Sequence, residues 1–199
     1  MDAIDITAIA ESPWLLPALF LLVVGDAFVV VLPSETAVVA LGTLVAATGS
    51  PSVAAVIGVA ALGAVIGDSL CFLLGRLVGF DRWAWQRRGR VARQLERVRG
   101  TVLARPAVLI FTARYIPFAR IAVNLTAGSA GLPYRRFLPL SAAAGLGWAA
   151  YNTAVGAFFG TVLGEQPILA VVVSVAVAMG VGVLVDLVVR RRASGPPAA

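Results

Sequence analysis

The sequence predicts an all-α integral membrane protein, a helical bundle with two facing re-entrant half-helix hairpins in an inverted repeat. Three observations lead there. Of the 199 residues 60% are hydrophobic and 13% charged, and the mean hydropathy is +0.94, far from the usual soluble domain. Within the apolar stretch 111–131, Arg114 and Arg120 bracket Pro117. Arginine at the centre of a membrane helix costs roughly 3 to above 10 kcal/mol, so beside a helix-breaking proline it should line a cavity or meet an anionic partner. The two halves also share an order of features. From Pro33 the chain runs through Glu35, an apolar segment and a turn to a helix with Gly67 and Gly75. From Pro117 it runs through Arg120, an apolar segment, Gly128 and a turn to a helix with Gly147 and Gly156. Opposite topology of the two hairpins would make this an inverted repeat, a plan common in secondary transporters.

Composition narrows the chemistry. All 16 basic residues are arginine and there is no histidine, which excludes Ser-His-Asp and Cys-His catalysis and histidine-ligated metal sites. No cofactor is expected. Cys71 is the one cysteine, so it forms no internal disulfide and reads as a packed thiol. The sequence pI near 11.0 would suggest nucleic acid in a soluble protein, but here the arginines flank apolar segments. The positive-inside rule accounts for them, and nucleic acid is not expected as a partner.

Taken in order, residues 1–12 carry Asp2, Asp5 and Glu11 without a basic n-region or an A-x-A site. They suit a short interfacial helix rather than a removable signal peptide. The segment 13–32 is apolar apart from Asp26 and about long enough to cross. Pro33-Ser34-Glu35-Thr36 suits a helix start, and Gly49-Ser50-Pro51 a turn. The helix between them is too short for a comfortable span, which predicts a half-helix. A long helix is expected over 52–80, with Gly58, Gly63, Gly67, Gly75 and Gly79 allowing close helix approach. Arg76 lies near its end and can snorkel; Asp68 lies too deep for that. Asp68 then has either a transport role or a capping or pairing role, Arg76 being one candidate partner.

Residues 81–105 hold eight arginines against Asp81 and Glu96, with Trp83 and Trp85 at the head. This reads as a cytoplasmic amphipathic helix on anionic lipid. The segment 106–131 is interrupted at Pro117 and predicts a second hairpin returning to the cytoplasmic side. Tyr134-Arg135-Arg136-Phe137 marks that interface, 138–163 spans outward, and 168–189 spans back to Arg190-Arg191-Arg192. The whole forms one domain over 1–192 with its core at 20–162, followed by a disordered tail at 193–199. The loop and the tail share the cytoplasmic side only if 106–131 does not cross.

Several motifs in this order resemble the DedA family, also described as the SNARE-associated or VTT domain. They are Gly67-Asp68 with Gly75-Arg76 and Gly79, Arg114-Tyr115-Ile116-Pro117 with Arg120, Ala127-Gly128, and Pro133-Tyr134-Arg135-Arg136-Phe137. The resemblance covers roughly 20–162. It implies a bacterial inner-membrane protein that is not an enzyme and moves lipid. The lipid would be a polyprenyl (undecaprenyl-type) phosphate or a phospholipid, and the movement would depend on the proton gradient. The family's essential arginines map onto Arg114 and Arg120, and its membrane acids most naturally onto Asp26 and Glu35. The family commonly has glutamate where Asp26 stands, with its two acids further apart than here.

The residues make such a role chemically reasonable. Arginine offers a planar fork of donors suited to phosphate oxygens, and the start of a half-helix at Pro117 adds a dipole of the right sign. Burial favours a protonated carboxylate and a nearby arginine an ionised one. Asp26, Glu35 or Asp68 could therefore exchange an arginine partner for a proton while a lipid phosphate takes the guanidinium. The bland reading is that these pairs only fix the packing of the hairpins. Asn124 and Thr126 either line the cavity or join helices. A proton-coupled ion or drug antiporter without lipid specificity is the second function class. A membrane enzyme acting on lipid phosphates is the third, disfavoured by the lack of histidine and of a paired-aspartate motif. Homo-oligomerisation is left open.

Overall fold

The computed structural model describes residues 6–29, 33–79, 89–114 and 118–162, with isolated positions between 172 and 180. Pro117, the tryptophans at 83 and 85, the expected span at 168–189, the Arg190-Arg191-Arg192 stop and the tail lie outside the described residues. Among the described residues the structure is helical without strands. In order come α1 (Ile6–Ala10), α2 (Leu15–Asp26), α3 (Ser34–Thr48), α4 (Val53–Val78), α5 (Gly89–Ala104), α6 (Pro106–Ala113), α7 (Ala119–Ser129) and α8 (Tyr134–Val162).

Local chemistry sets most of these boundaries. α3 starts directly after Pro33 with Glu35 in its first turn, and it stops at Gly49, whose φ of 75° is left-handed. Glycine enters that region without the Cβ penalty, and its N–H closes back on Val45. Ser52 caps α4, its Oγ accepting from the Ala55 N–H at 3.2 Å. Pro106 opens α6, where a missing N–H costs nothing. α5 is the amphipathic helix expected in the arginine-rich stretch, and it docks through Val102, which is buried.

At 26 residues α4 is long and apolar enough to cross a membrane, whereas α2 and α3 are shorter apolar helices. At about 1.5 Å per residue, the 12 residues of α2 reach roughly 18 Å of a core about 30 Å thick. Within the apolar segment 13–32, α2 ends at Asp26. α8 is longer still, 29 residues, but Arg135, Arg136, Asn152 and Thr153 dilute its apolar character. Helix does not continue through the 106–131 segment: α6 ends at Ala113 and α7 begins at Ala119.

Two apolar cores result. One joins Leu19 and Val23 of α2, Val38, Leu41 and Val45 of α3, Ala60 and Ala64 of α4, and Trp148 of α8. The other joins Phe72 of α4, Val102 of α5, Ile110 of α6, Ala127 of α7, and Phe137 and Ala144 of α8. The long helices α4 and α8 thus contribute to both, and α2, α3, α5, α6 and α7 to one each.

The most extensive pairings are α3 with α8 and α4 with α7, and they are built alike. Gly42 meets Gly156 at the first crossing, and Gly75 and Gly128 face each other's helix at the second. At the first, Thr43 Oγ1 donates to the Gly156 carbonyl at 3.1 Å and to Val39 four residues back. At the second, Ser129 Oγ donates to the Gly75 carbonyl at 2.7 Å and to Leu125 four residues back. A short helix carrying Gly-Thr or Gly-Ser is thereby stapled to a glycine on a long helix of the other half of the chain. The glycines let backbone approach backbone, and the hydroxyls satisfy both their own helix and the partner.

Candidate functional site

Asp68 lies on α4 one turn from Ala64 in one core and one turn from Phe72 in the other, at the seam between them. Its carboxylate accepts four hydrogen bonds. Arg120 Nε reaches Oδ1 at 2.9 Å and Asn124 Nδ2 reaches the same oxygen at 2.9 Å. Arg114 Nη1 reaches Oδ2 at 2.8 Å and Ser141 Oγ reaches it at 2.8 Å. A carboxylate offers about four lone-pair sites, so all are taken. The donors come from the end of α6, the first two turns of α7, and α8. One side chain therefore ties four helices together.

Arg120 also turns outward: its Nη1 donates to Asp26 Oδ2 at 3.1 Å. Asp26 is placed by the close approach of α2 to α4. A Cβ on Gly67 would come within 2.6 Å of Ala27 Cβ, and Cys71 Sγ donates to the Ala27 carbonyl at 3.1 Å. The two ion pairs differ in access. Side-chain exposure is 2% and 1% for Arg114 and Asp68, but 14% and 16% for Arg120 and Asp26. Two guanidiniums balance two carboxylates, so the cluster is formally neutral. At its rim Arg120 Nη2 is buried and has no hydrogen-bond partner among the described residues.

The break between α6 and α7 is held from both ends by the same carboxylate, through Arg114 before it and Arg120 after it. Just ahead of α7, Phe118 takes a φ of 65°, a conformation that costs a non-glycine residue of order 1–3 kcal/mol unless its surroundings impose it. Arg120 stands in the first turn of α7, where the helix dipole disfavours a cation and favours the carboxylates facing it.

The remaining predicted residues fall as follows. Glu35 is exposed in the first turn of α3, and its Oε1 accepts from Trp148 Nε1 at 3.4 Å. Trp148 lies with its ring beneath Arg114, whose Cζ is 5.5 Å from the ring centroid. Pro33 is exposed ahead of α3, and Arg76 is exposed on the last turn of α4. The suggested Asp68–Arg76 pair is corrected: Asp68 pairs with Arg114 and Arg120. Gly79 ends α4 with a φ of 64°, while Gly75 and Gly128 belong to the α4–α7 crossing. Sequence reasoning missed Ser141, hidden in a run of alanines. It also missed the contacts of Trp148 with Glu35 and Arg114 and the Gly42–Gly156 crossing, although the dipeptides Gly42-Thr43 and Gly128-Ser129 were there to be compared. Among the described residues no three His, Cys, Asp or Glu side chains stand together as metal ligands.

Ser141→Ala and Asn124→Ala should each lower stability by about 1.5–3 kcal/mol, because each removes a hydrogen bond to a buried charged group. Thermal melting in detergent checks this, and unchanged midpoints would show that Asp68 does not depend on them.

With this geometry in view, the VTT domain family model matches residues 32–158. The chain belongs to the VTT domain family. The matched span holds Glu35, Asp68, Arg114, Arg120, Asn124, Ser141 and Trp148 but leaves Asp26 just outside. The chain is also 29% identical over 146 residues to an uncharacterized membrane protein, slr0232, of Synechocystis sp.. That alignment covers 70% of the chain and 64% of the relative, so it spans just under two thirds of that protein's length. No solved structure gives a significant match. This VTT domain chain is thus a membrane protein whose most buried charges converge on one aspartate.

Proposed function

We propose that this VTT domain protein is a proton-linked transporter of lipid phosphate, either polyprenyl phosphate or phospholipid, in a bacterial cytoplasmic membrane. In this reading α2–α3 and α6–α7 are the two re-entrant hairpins and the halves form an inverted repeat. The like-built glycine crossings support that repeat, and the shortness of α2, α3, α6 and α7 supports hairpins over spans. The observation that carries the function is the position of Arg120. It bridges a sealed carboxylate, Asp68, and a partly exposed one, Asp26.

The bridge suggests a division of labour. Asp68 and Arg114 fix the frame. Asp26 is the exchangeable partner: a lipid phosphate approaching from the rim takes over Arg120 Nη1 and Nη2 as a two-pronged contact. Asp26, released, takes a proton, which keeps the charge of the site balanced. The head group moves past the cluster while the tails stay among the exposed apolar side chains of the bundle.

The test is a headgroup-accessibility assay in proteoliposomes, comparing polyprenyl phosphate with phosphatidylethanolamine, with and without a pH gradient. Arg120→Ala is expected to slow lipid-phosphate movement at least tenfold, about 1.4 kcal/mol. Asp26→Asn is expected to keep the fold and lose the response to the gradient. Movement at the wild-type rate in purified Arg120→Ala protein would remove the basis of the proposal.

A further inference from the structure

We propose that Trp148 is a positioning residue that couples Glu35 to the Arg114 guanidinium, so that the buried node senses the charge of an exposed carboxylate. Its consequence for transport rests on the reading above; the contact itself does not. Trp148 is almost fully buried in the apolar core that also holds Val38 and Leu41 of α3 and Ala60 and Ala64 of α4. Those contacts hold the ring but do not account for its two polar engagements. The indole N–H reaches Glu35 on α3 at 3.4 Å, and the ring face carries Arg114 from the end of α6. Arg114 in turn donates to Asp68 on α4. Glu35, Trp148, Arg114 and Asp68 therefore form an unbroken path from the protein surface to its most enclosed charge.

Each link depends on charge or orientation. An N–H bond to an ionised acceptor is roughly twice as strong as one to a neutral group, and at 3.4 Å this one lies beyond the usual 2.7–3.2 Å, a weak contact that rests on the acceptor's charge. Loss of the charge on Glu35 therefore releases the indole. The attraction between a guanidinium and an aromatic ring requires the ring face beneath the cation, so a turn of the ring changes what Arg114 rests on. The titratable or charged groups on elements packed against α3 are Asp26 on α2, Asp68, Cys71 and Arg76 on α4, and Tyr134, Arg135, Arg136 and Tyr151 on α8. α1 carries none. Among the described residues, Trp148 is the group that hydrogen-bonds Glu35.

The decisive measurement uses full-length protein with Trp148 as its sole tryptophan (Trp14→Phe, Trp83→Phe, Trp85→Phe), in nanodiscs, its emission followed from acidic to neutral pH. A single transition is expected that vanishes in Glu35→Gln and persists in Asp26→Asn. Emission that ignores pH, or a transition that survives Glu35→Gln, overturns the coupling. A second arm uses the proteoliposome assay. Trp148→Phe keeps a ring under Arg114 but lacks the N–H, and it is expected to flatten the pH profile of lipid-phosphate movement as far as Glu35→Gln does. The double variant should be no flatter, since both changes cut one path. Flattening that adds in the double variant counts against the proposal. A Glu35-dependent emission change without lipid movement leaves the coupling intact and defeats the transport reading; lipid movement with emission blind to Glu35 does the reverse.

Discussion

Asp68→Ala should be among the most damaging single substitutions in the chain, costing roughly 3–5 kcal/mol, the range for removing one partner of a buried ion pair. Typical domains have about 5–15 kcal/mol in all, so the detergent-purified variant is expected to melt far below wild type or to lose its monodisperse peak. The cause is what stays behind. Arg114, with a side chain 2% exposed, keeps its charge and loses its carboxylate, and Arg120, Asn124 and Ser141 each lose an acceptor. The same reasoning predicts a partial rescue. Asp68→Leu combined with Arg114→Met removes both charges and leaves Arg120 its pair with Asp26, so the double variant should be more stable than Asp68→Ala. Asp26→Asn, at the half-open end of the cluster, should cost less than about 1 kcal/mol because water compensates there. If Asp26→Asn destabilises as much as Asp68→Ala, the distinction between a sealed pair and an exchangeable pair is wrong.

That distinction was only half legible in the sequence. Arg114, Pro117 and Arg120 announce a broken helix with charges inside an apolar stretch, because each is costly there and their coincidence narrows the explanations. What spacing cannot show is which carboxylate they meet. Asp26, Glu35 and Asp68 look alike as isolated acids in apolar surroundings. Asp68 becomes the hub because donors from α6, α7 and α8 converge on it, and convergence of segments distant in the chain leaves no local pattern. Glu35 follows Pro33 at a helix start, a position that turns the side chain toward the surface, and its link to the cluster depends on a tryptophan more than a hundred residues away. The glycines were legible as small residues but not as partners. In a chain so rich in alanine, valine and glycine, the hydroxyl after Gly42 and after Gly128 is the informative signal, and it gains meaning only once the crossings are seen.

Those crossings yield the second large effect. Gly75→Ala and Gly156→Ala should both be strongly destabilising, by similar amounts. A Cβ at Gly75 would overlap the backbone carbonyl of Leu125, and one at Gly156 the carbonyl of Val39. The obstacle in each case is main chain inside a packed helix, which cannot swing aside as a side-chain tip can. The helices must move apart. That loosens the apolar contacts around the crossing and stretches the bond from Ser129 or Thr43 to the glycine carbonyl. Overpacking typically costs about 1–3 kcal/mol, and a weakened hydrogen bond adds about 1 kcal/mol. Gly147→Ala serves as the control, because nothing lies within 4 Å of a Cβ there, and it should be neutral or slightly stabilising in a helix. Melting midpoints of the three variants settle the matter. Equal losses at Gly75 and Gly156 are what two like-built crossings require, because each staples a short helix of one half to a long helix of the other. A large loss at one and none at the other would mean that a single crossing carries the fold and that the likeness between them has no energetic content.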